Sequence, residues 1–126
     1  MIFGIGTDIV RVSRMQDNLE RFGLKFAERI LTARELGEFQ RQSRAAHFLA
    51  RRFAVKEAAA KAMGTGFNHG VTARGIGVTH DAHGKPGLEF ADGALSFIRE
   101  HEIAVWHVSL ADEEDHAVAF VTLETR

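Results

Sequence analysis

The 126 residues predict an α+β fold: a small single domain with an antiparallel sheet and one long central helix. Three observations carry that prediction. The hydrophobic period is two at the start of the chain, Ile2 to Val10, and again near its end, over Ala104 to Ala111 and Ala117 to Glu124. Between them, Arg44 to Met63 contains no glycine or proline and is rich in alanine, the strongest helix former. The last two strand patterns are joined only by the polar link Asp112 to Asp115, a hairpin signal. A strand, then helices, then mostly strands is the α+β order.

In the first strand, Phe3, Ile5, Thr7 and Ile9 share one face, and Gly4, Gly6 and Asp8 share the other. Something bulky or charged is expected against that bare second face. Ser13 followed by Gln16 has the spacing of a capping box, which predicts a helix from about Arg14 to Phe22 ended by Gly23. Thr32 followed by Glu35 predicts a second helix to about Gln42, with Phe26, Ile30 and Leu31 as apolar anchors between the two. The long helix stops at Gly64, which is placed for a left-handed cap, and Thr65 to Arg74 reads as a loop. Ile76, Val78 and His80 then form a strand, Asp81 to Gly87 a turn holding the only proline, and Leu88 to Phe90 a short strand. Asp92 is placed to cap a helix reaching about Glu102. No repeat or linker divides the chain, so residues 1–126 read as one domain.

Composition narrows the function. With 16 basic and 17 acidic residues the formal net charge is −1, which disfavours a general nucleic-acid binder. Cysteine is absent, which excludes disulfides, thiolate zinc sites and a cysteine nucleophile. No apolar run reaches the roughly 18 residues needed to span a bilayer, and no signal-peptide pattern opens the chain. The expectation is a cytoplasmic protein with no membrane and no nucleic-acid partner.

The chemistry-bearing residues concentrate on the long helix. Phe53, Glu57 and Lys61 recur every four residues and share a face, beside a stripe of Arg52 and Lys56. A Glu-to-Lys pair at this spacing is commonly a surface ion pair worth about 0.3–0.5 kcal/mol. The alanine-rich back of the helix, however, implies close packing, so this face is held against something. Asp8 on a strand and Glu57 on a helix are two carboxylates that could share a hard cation such as magnesium, which takes one or two carboxylates plus substrate phosphates. His80 and His83 lack the further ligands of a zinc site. His107 shares a strand face with Val105 and Ser109, which suits either a ligand contact or a solvated sheet face. Gly4 and Gly6 lack the third glycine of a dinucleotide fingerprint, and no nucleophile elbow or P-loop is present.

Gly4-Ile5-Gly6-Thr7-Asp8-Ile9, together with Phe48 to Ala62 (FLARRFAVKEAAAKA) and Gly64-Thr65-Gly66, closely resembles the two-part signature of the holo-acyl-carrier-protein synthases, the short bacterial class of phosphopantetheinyl transferases. Gly84-Lys85-Pro86 and Trp106-His107-Val108-Ser109-Leu110 match further family segments in order, so the resemblance covers essentially the whole chain. It implies a phosphopantetheinyl transferase-like fold and magnesium-dependent transfer of 4'-phosphopantetheine from coenzyme A to a serine of an acyl carrier protein. The by-product is adenosine 3',5'-bisphosphate, and the reaction supports fatty acid biosynthesis. The same resemblance places Asp8 and Glu57 on metal-ligand positions and Lys61 within reach of the phosphates. For the serine proton the acceptor is Glu57, directly or through a water, or else a water oriented by Asp8. Arg44, Phe48, Arg52, Lys85 and His107, with the backbone of Gly64, Thr65 and Gly66, match segments that approach coenzyme A. Arg14, Arg21 and Lys25 would meet the acidic helix of the carrier protein.

The family also implies a homotrimer with sites shared between subunits. One departure is the turn Ala111-Asp112-Glu113-Glu114, where many relatives have serine or threonine followed by histidine; a histidine-based role for that loop is not expected here. Two other readings compete. One is a non-catalytic coenzyme A or nucleotide sensor of the same fold, against which the intact Asp8, Glu57 and Lys61 set argues. The other is a nucleic-acid module using Arg51, Arg52 and Lys56, against which the balanced charge argues.

Overall fold

The computed structural model describes residues 1–126. Strand β1 (Ile2–Arg11) runs straight into helix α1 (Val12–Phe22), followed by α2 (Leu24–Ile30), α3 (Ala33–Phe39) and the long α4 (Ala45–Met63). A 3-10 turn at Ala73–Gly75 leads into β2 (Ile76–His80) and β3 (Pro86–Phe90), then α5 (Asp92–Glu100), β4 (Ile103–Asp112) and β5 (His116–Thr125). No helix is long and apolar enough to cross a membrane.

The strands form two antiparallel sheets instead of one: a three-stranded sheet of order β1-β5-β4 and a separate β2-β3 hairpin. The hairpin closes locally, because Asp81 N–H donates to Lys85 O and Gly84 N–H to Asp81 O across the turn. Phe90 meets Trp106 edge to face at 5.0 Å and joins the hairpin to β4.

Three helix starts differ from expectation. The Ser13–Gln16 pattern forms no capping box: α1 begins at Val12, its cap residue Arg11 makes no side-chain bond, and Ser13 lies inside the helix. The Val12 amide is instead satisfied by Asp115 O of the β4-β5 turn at 2.8 Å. An additional helix, α2, follows at once, because Gly23 adopts φ 66°, ψ −151°, a turn only glycine makes cheaply, and the chain restarts its helix at Leu24. At α5 the cap residue is Ala91, and Asp92 is the first helical residue. The Thr32–Glu35 capping box does form, with Glu35 N–H donating to Thr32 Oγ1 at 3.2 Å and Thr32 N–H to Glu35 Oε1 at 2.9 Å. Gly64 ends α4 at φ 81°.

Helix α4 lies against the three-stranded sheet, and it is what occupies the bare face of β1. A Cβ on Gly6 would sit 1.8 Å from Ala58 O, and one on Gly4 1.9 Å from Ala62 O. The strand and helix backbones are thus in direct contact, with Ala58 and Ala62 as the matching small residues. The other side of α4 is closed by Met15 of α1, Leu31 just after α2, and Ile76 and Val78 of β2, all essentially inaccessible. The outer face of the sheet is uncovered and apolar: Ile5 is 65 % exposed, Ile9 64 %, Phe120 52 % and Val105 43 %.

Candidate catalytic site

The backbone contact between β1 and α4 brings Asp8 beside the solvent-facing edge of the helix. Lys61 Nζ donates to Asp8 Oδ1 at 2.9 Å and to Thr7 O at 3.1 Å. The Glu57–Lys61 pair suggested by their spacing is therefore not the one made; the lysine crosses to the strand. Glu57, one helical turn earlier, is half-buried. Burial first, and the neighbouring Asp8 charge second, push its carboxyl above the usual range, with Lys61 and Arg14 opposing. Arg14 of α1 lies over the Phe53 ring at 5.5 Å. Asp8, Glu57, Lys61 and Arg14 thus form one charged cluster drawn from β1, α1 and α4.

The cluster suits a hard divalent cation. The Asp8 charge lies near enough to make ionisation of Glu57 costlier, and the Lys61 ammonium already rests on Asp8. No third acid or histidine completes a protein-only ligand set. That is the donor arrangement for magnesium, whose remaining positions are filled by water and substrate oxygens.

The remaining expected contacts are dispersed. Gly64, Thr65 and Gly66 cap α4, where the Thr65 and Gly66 amides both donate to Ala60 O. Arg44 lies at the other end of α4, roughly 30 Å away at 1.5 Å per residue. It donates to Glu114 Oε1 at 3.0 Å, while Arg51 reaches Asp112 at 3.4 Å, so the acidic β4-β5 turn is clipped to the helix start. Lys85 is exposed in the β2-β3 turn. His107 is on the outer sheet face, 2.8 Å from Glu124 Oε2. Arg21 lies over Phe22 at 5.1 Å. Lys25 lines a groove of about 490 Å³ with Glu28, Arg29 and Arg74. A cavity of about 610 Å³ between α3, β3 and α5 contains none of the expected residues.

Two of the expected cofactor contacts, Phe48 and Arg52, are buried within this chain. Phe48 is buried, packing on Phe39 with ring centroids 6.0 Å apart and lying beneath the Arg52 guanidinium at 4.4 Å. Arg52 is buried as well, donating to Glu35 Oε2 at 3.4 Å and Glu38 Oε2 at 3.0 Å. Both side chains join α4 to α3 and present nothing to an open cleft. The reason is the acid pair on α3, whose positions three residues apart both face α4. The supposed basic stripe likewise disappears, because Lys56 is wholly buried.

The sequence reading missed the network around Lys56. Its Nζ donates to Glu35 Oε1 at 2.7 Å, Ala73 O at 2.9 Å and Ile76 O at 2.5 Å. Three acceptors match the three donors of an ammonium, so each of its N–H groups has a partner. Burial pushes its pKa down and Glu35 pulls the other way. For Glu35, burial pushes the carboxyl up, but Lys56 and the Thr32 and Val78 amides outweigh it and hold it below the usual range. The signal available in sequence was Thr32–Glu35, which placed the acid at a helix start but not opposite α4.

The 4'-phosphopantetheinyl transferase superfamily model matches residues 4–121. A holo-[acyl-carrier-protein] synthase of Halorhodospira halophila is 51% identical over 125 residues, covering 99% of each chain. Among solved structures, the holo-[acyl-carrier-protein] synthase of Neisseria meningitidis superposes with a TM-score of 0.94 at 46% identity, covering 99% of this chain and 100% of that one. The Bacillus anthracis enzyme in complex with CoA (3',5'-ADP) superposes with a TM-score of 0.83 at 38% identity, covering 100% and 99%. With a signature that folds into one charged cluster and relatives matched over nearly their full length, the chain belongs to the holo-[acyl-carrier-protein] synthases of the 4'-phosphopantetheinyl transferase superfamily.

Proposed function

We propose that this chain transfers 4'-phosphopantetheine from coenzyme A to a serine of an apo-acyl carrier protein in the cytoplasm, with magnesium, in support of fatty acid biosynthesis. The observation that carries this reading is the convergence of Asp8, Glu57 and Lys61 on one edge of α4. The serine oxygen bonds to the β-phosphorus, the bond to the bridging oxygen breaks, and adenosine 3',5'-bisphosphate leaves. Asp8 and Glu57 would hold magnesium, which when bound supplies charge neutralisation at the diphosphate. Lys61 exchanges its contact with Asp8 for a phosphate oxygen, acting as a mobile point charge. Glu57 takes the serine proton; its raised basicity, from burial and the Asp8 charge, suits that task. The deciding experiment incubates the protein with coenzyme A, magnesium and an apo-acyl carrier protein and weighs the carrier. A gain of one phosphopantetheine is expected, and none after chelation; a bound but unmodified carrier would favour the sensor reading.

Arg14 beside the cluster, with Arg21 further along α1 and Lys25 on α2, would meet the carrier's acidic helix. Arg14→Glu and Arg21→Glu are each expected to lower the carrier association rate about 10-fold and flatten its dependence on ionic strength, measured by stopped-flow. Unchanged rates would remove this edge from the docking surface.

Dispersal of Arg44, Lys85, His107 and Gly64 to Gly66 over separate faces favours a site completed by a second copy. The uncovered apolar face around Ile5, Ile9 and Phe120, with His107 on it, supports assembly through that sheet as a homotrimer. Phe120→Asp is expected to sediment as a monomer and lose most turnover; an unaltered trimer mass would place the interface elsewhere.

A further inference from the structure

The buried ion network of α3 and α4 has no part in the reaction as described. It runs from Lys56 through Glu35 to Arg52 and Glu38, and from Glu38 to Arg34, whose Nη1 donates at 2.7 Å. Arg34 Nη2 continues to Glu89 Oε1 at 2.7 Å and to Val78 O at 2.9 Å. Glu35 Oε2 accepts the Val78 amide at 3.0 Å. Lys56 holds the carbonyls of Ala73 and Ile76. One end is therefore the residue before Glu57, and the other grips both strands of the hairpin that carries Lys85.

Burying such a network is a poor way to gain stability, since apolar replacements of similar volume are often as stable or more so. What it supplies is direction. Around Glu57, from Ala54 to Ala62, the buried residues of α4 are alanines apart from Val55 and Lys56; the larger apolar side chains, Phe48, Leu49 and Met63, lie toward its two ends. Methyl groups allow close approach but offer few large knobs to fix the rotation of that stretch. Glycines on β1 receive the helix from one side only. Directional bonds to Lys56 from the other side set its azimuth, and the same acid sets β2.

We infer that Glu35 and Lys56 are positioning residues: they lock the rotation of α4, hence the aim of Glu57, and hold the Lys85 hairpin in register with it. The inference rests on the reading of Glu57 and Lys85 given above.

The test is the double variant Glu35→Leu with Lys56→Met, which removes the charges together and keeps the volume. The expected result is a folded protein whose kcat falls about 10-fold or more, because displacement of a catalytic group by about an ångström costs up to about 100-fold. Arg34→Gln, at the exposed end, keeps the interior intact and is expected to raise the coenzyme A KM at least about 3-fold with an unchanged Tm. Wild-type kcat in a folded double variant overturns the inference. If the double variant does not fold, Arg34→Gln decides alone: wild-type KM and kcat overturn it, and the expected rise sustains it. Glu57→Ala, run alongside, separates the two levels. An active Glu57→Ala protein defeats the functional reading itself, whereas an inactive one beside a fully active double variant defeats only the positioning role.

Discussion

A Glu57→Gln chain is expected to keep its fold and lose at least about 100-fold of kcat, the usual scale of a lost general base. The amide preserves shape but neither accepts the serine proton nor holds a cation with a full charge. Asp8→Asn is expected to cost a similar amount, and the double variant little more than either alone, because the two act as a unit. Stability moves the other way. The folded-state pKa of Glu57 is raised, so its contribution to stability is greatest below the unfolded value and is lost as pH rises through the folded one. At neutral pH the charge is a burden on the fold, and removing it should leave Tm equal or slightly higher. Turnover and thermal melts of the same preparation check both halves. A Glu57→Gln protein with wild-type kcat would remove this residue from the reaction.

Gly6→Ala is expected to destabilise the protein by about 3 kcal/mol or more, at the upper end of overpacking costs. The added methyl meets the backbone oxygen of Ala58 at 1.8 Å and the amide nitrogen of Ala62 at 2.7 Å, neither of which can swing aside. Relief requires α4 to lift from β1, which would also carry Glu57 away from Asp8. At about 4 °C per kcal/mol, Tm falls by about 12 °C, and activity falls even below the new melting range. Thermal unfolding followed by circular dichroism checks the first effect and turnover at low temperature the second. A Gly37→Ala control, inside α3 where an added Cβ meets nothing, should leave Tm equal or slightly raised.

What could be read from the sequence was local. Thr32 and Glu35 announced a helix start because both partners of the capping box are three residues apart. Gly64 announced the end of α4 because a left-handed cap follows from one residue's backbone freedom. The face division of β1 followed from a period of two, and it correctly required something to fill the space beside Gly4 and Gly6. Ser13 and Gln16 misled because the same spacing occurs inside a helix; the tertiary bond from Val12 to Asp115 moved the start upstream.

The non-local features were not legible. Arg52 and Lys56 read as a basic stripe, since nothing in a linear pattern shows that Glu35 and Glu38 lie opposite them. Lys61 looked paired with Glu57 because helical spacing is visible and a strand neighbour 53 residues away is not. The motif that holds Phe48 is specific to the family, yet motif membership does not say that its ring packs on Phe39 beneath Arg52. Asp8 and Glu57 were singled out for their chemistry, and only the contact of glycine with alanine backbone brings them together.

That contact ties the two carboxylates to the most protected part of the molecule. Openings that expose backbone amides to exchange begin where burial is slight, at the turn around Lys85 and the acidic tip at Glu114. The middle of α4 and the paired β1 and β5 can open only as one cooperative unit. Breathing at the rim can thus admit or release a ligand while the spacing of Asp8 and Glu57 persists until the whole chain unfolds.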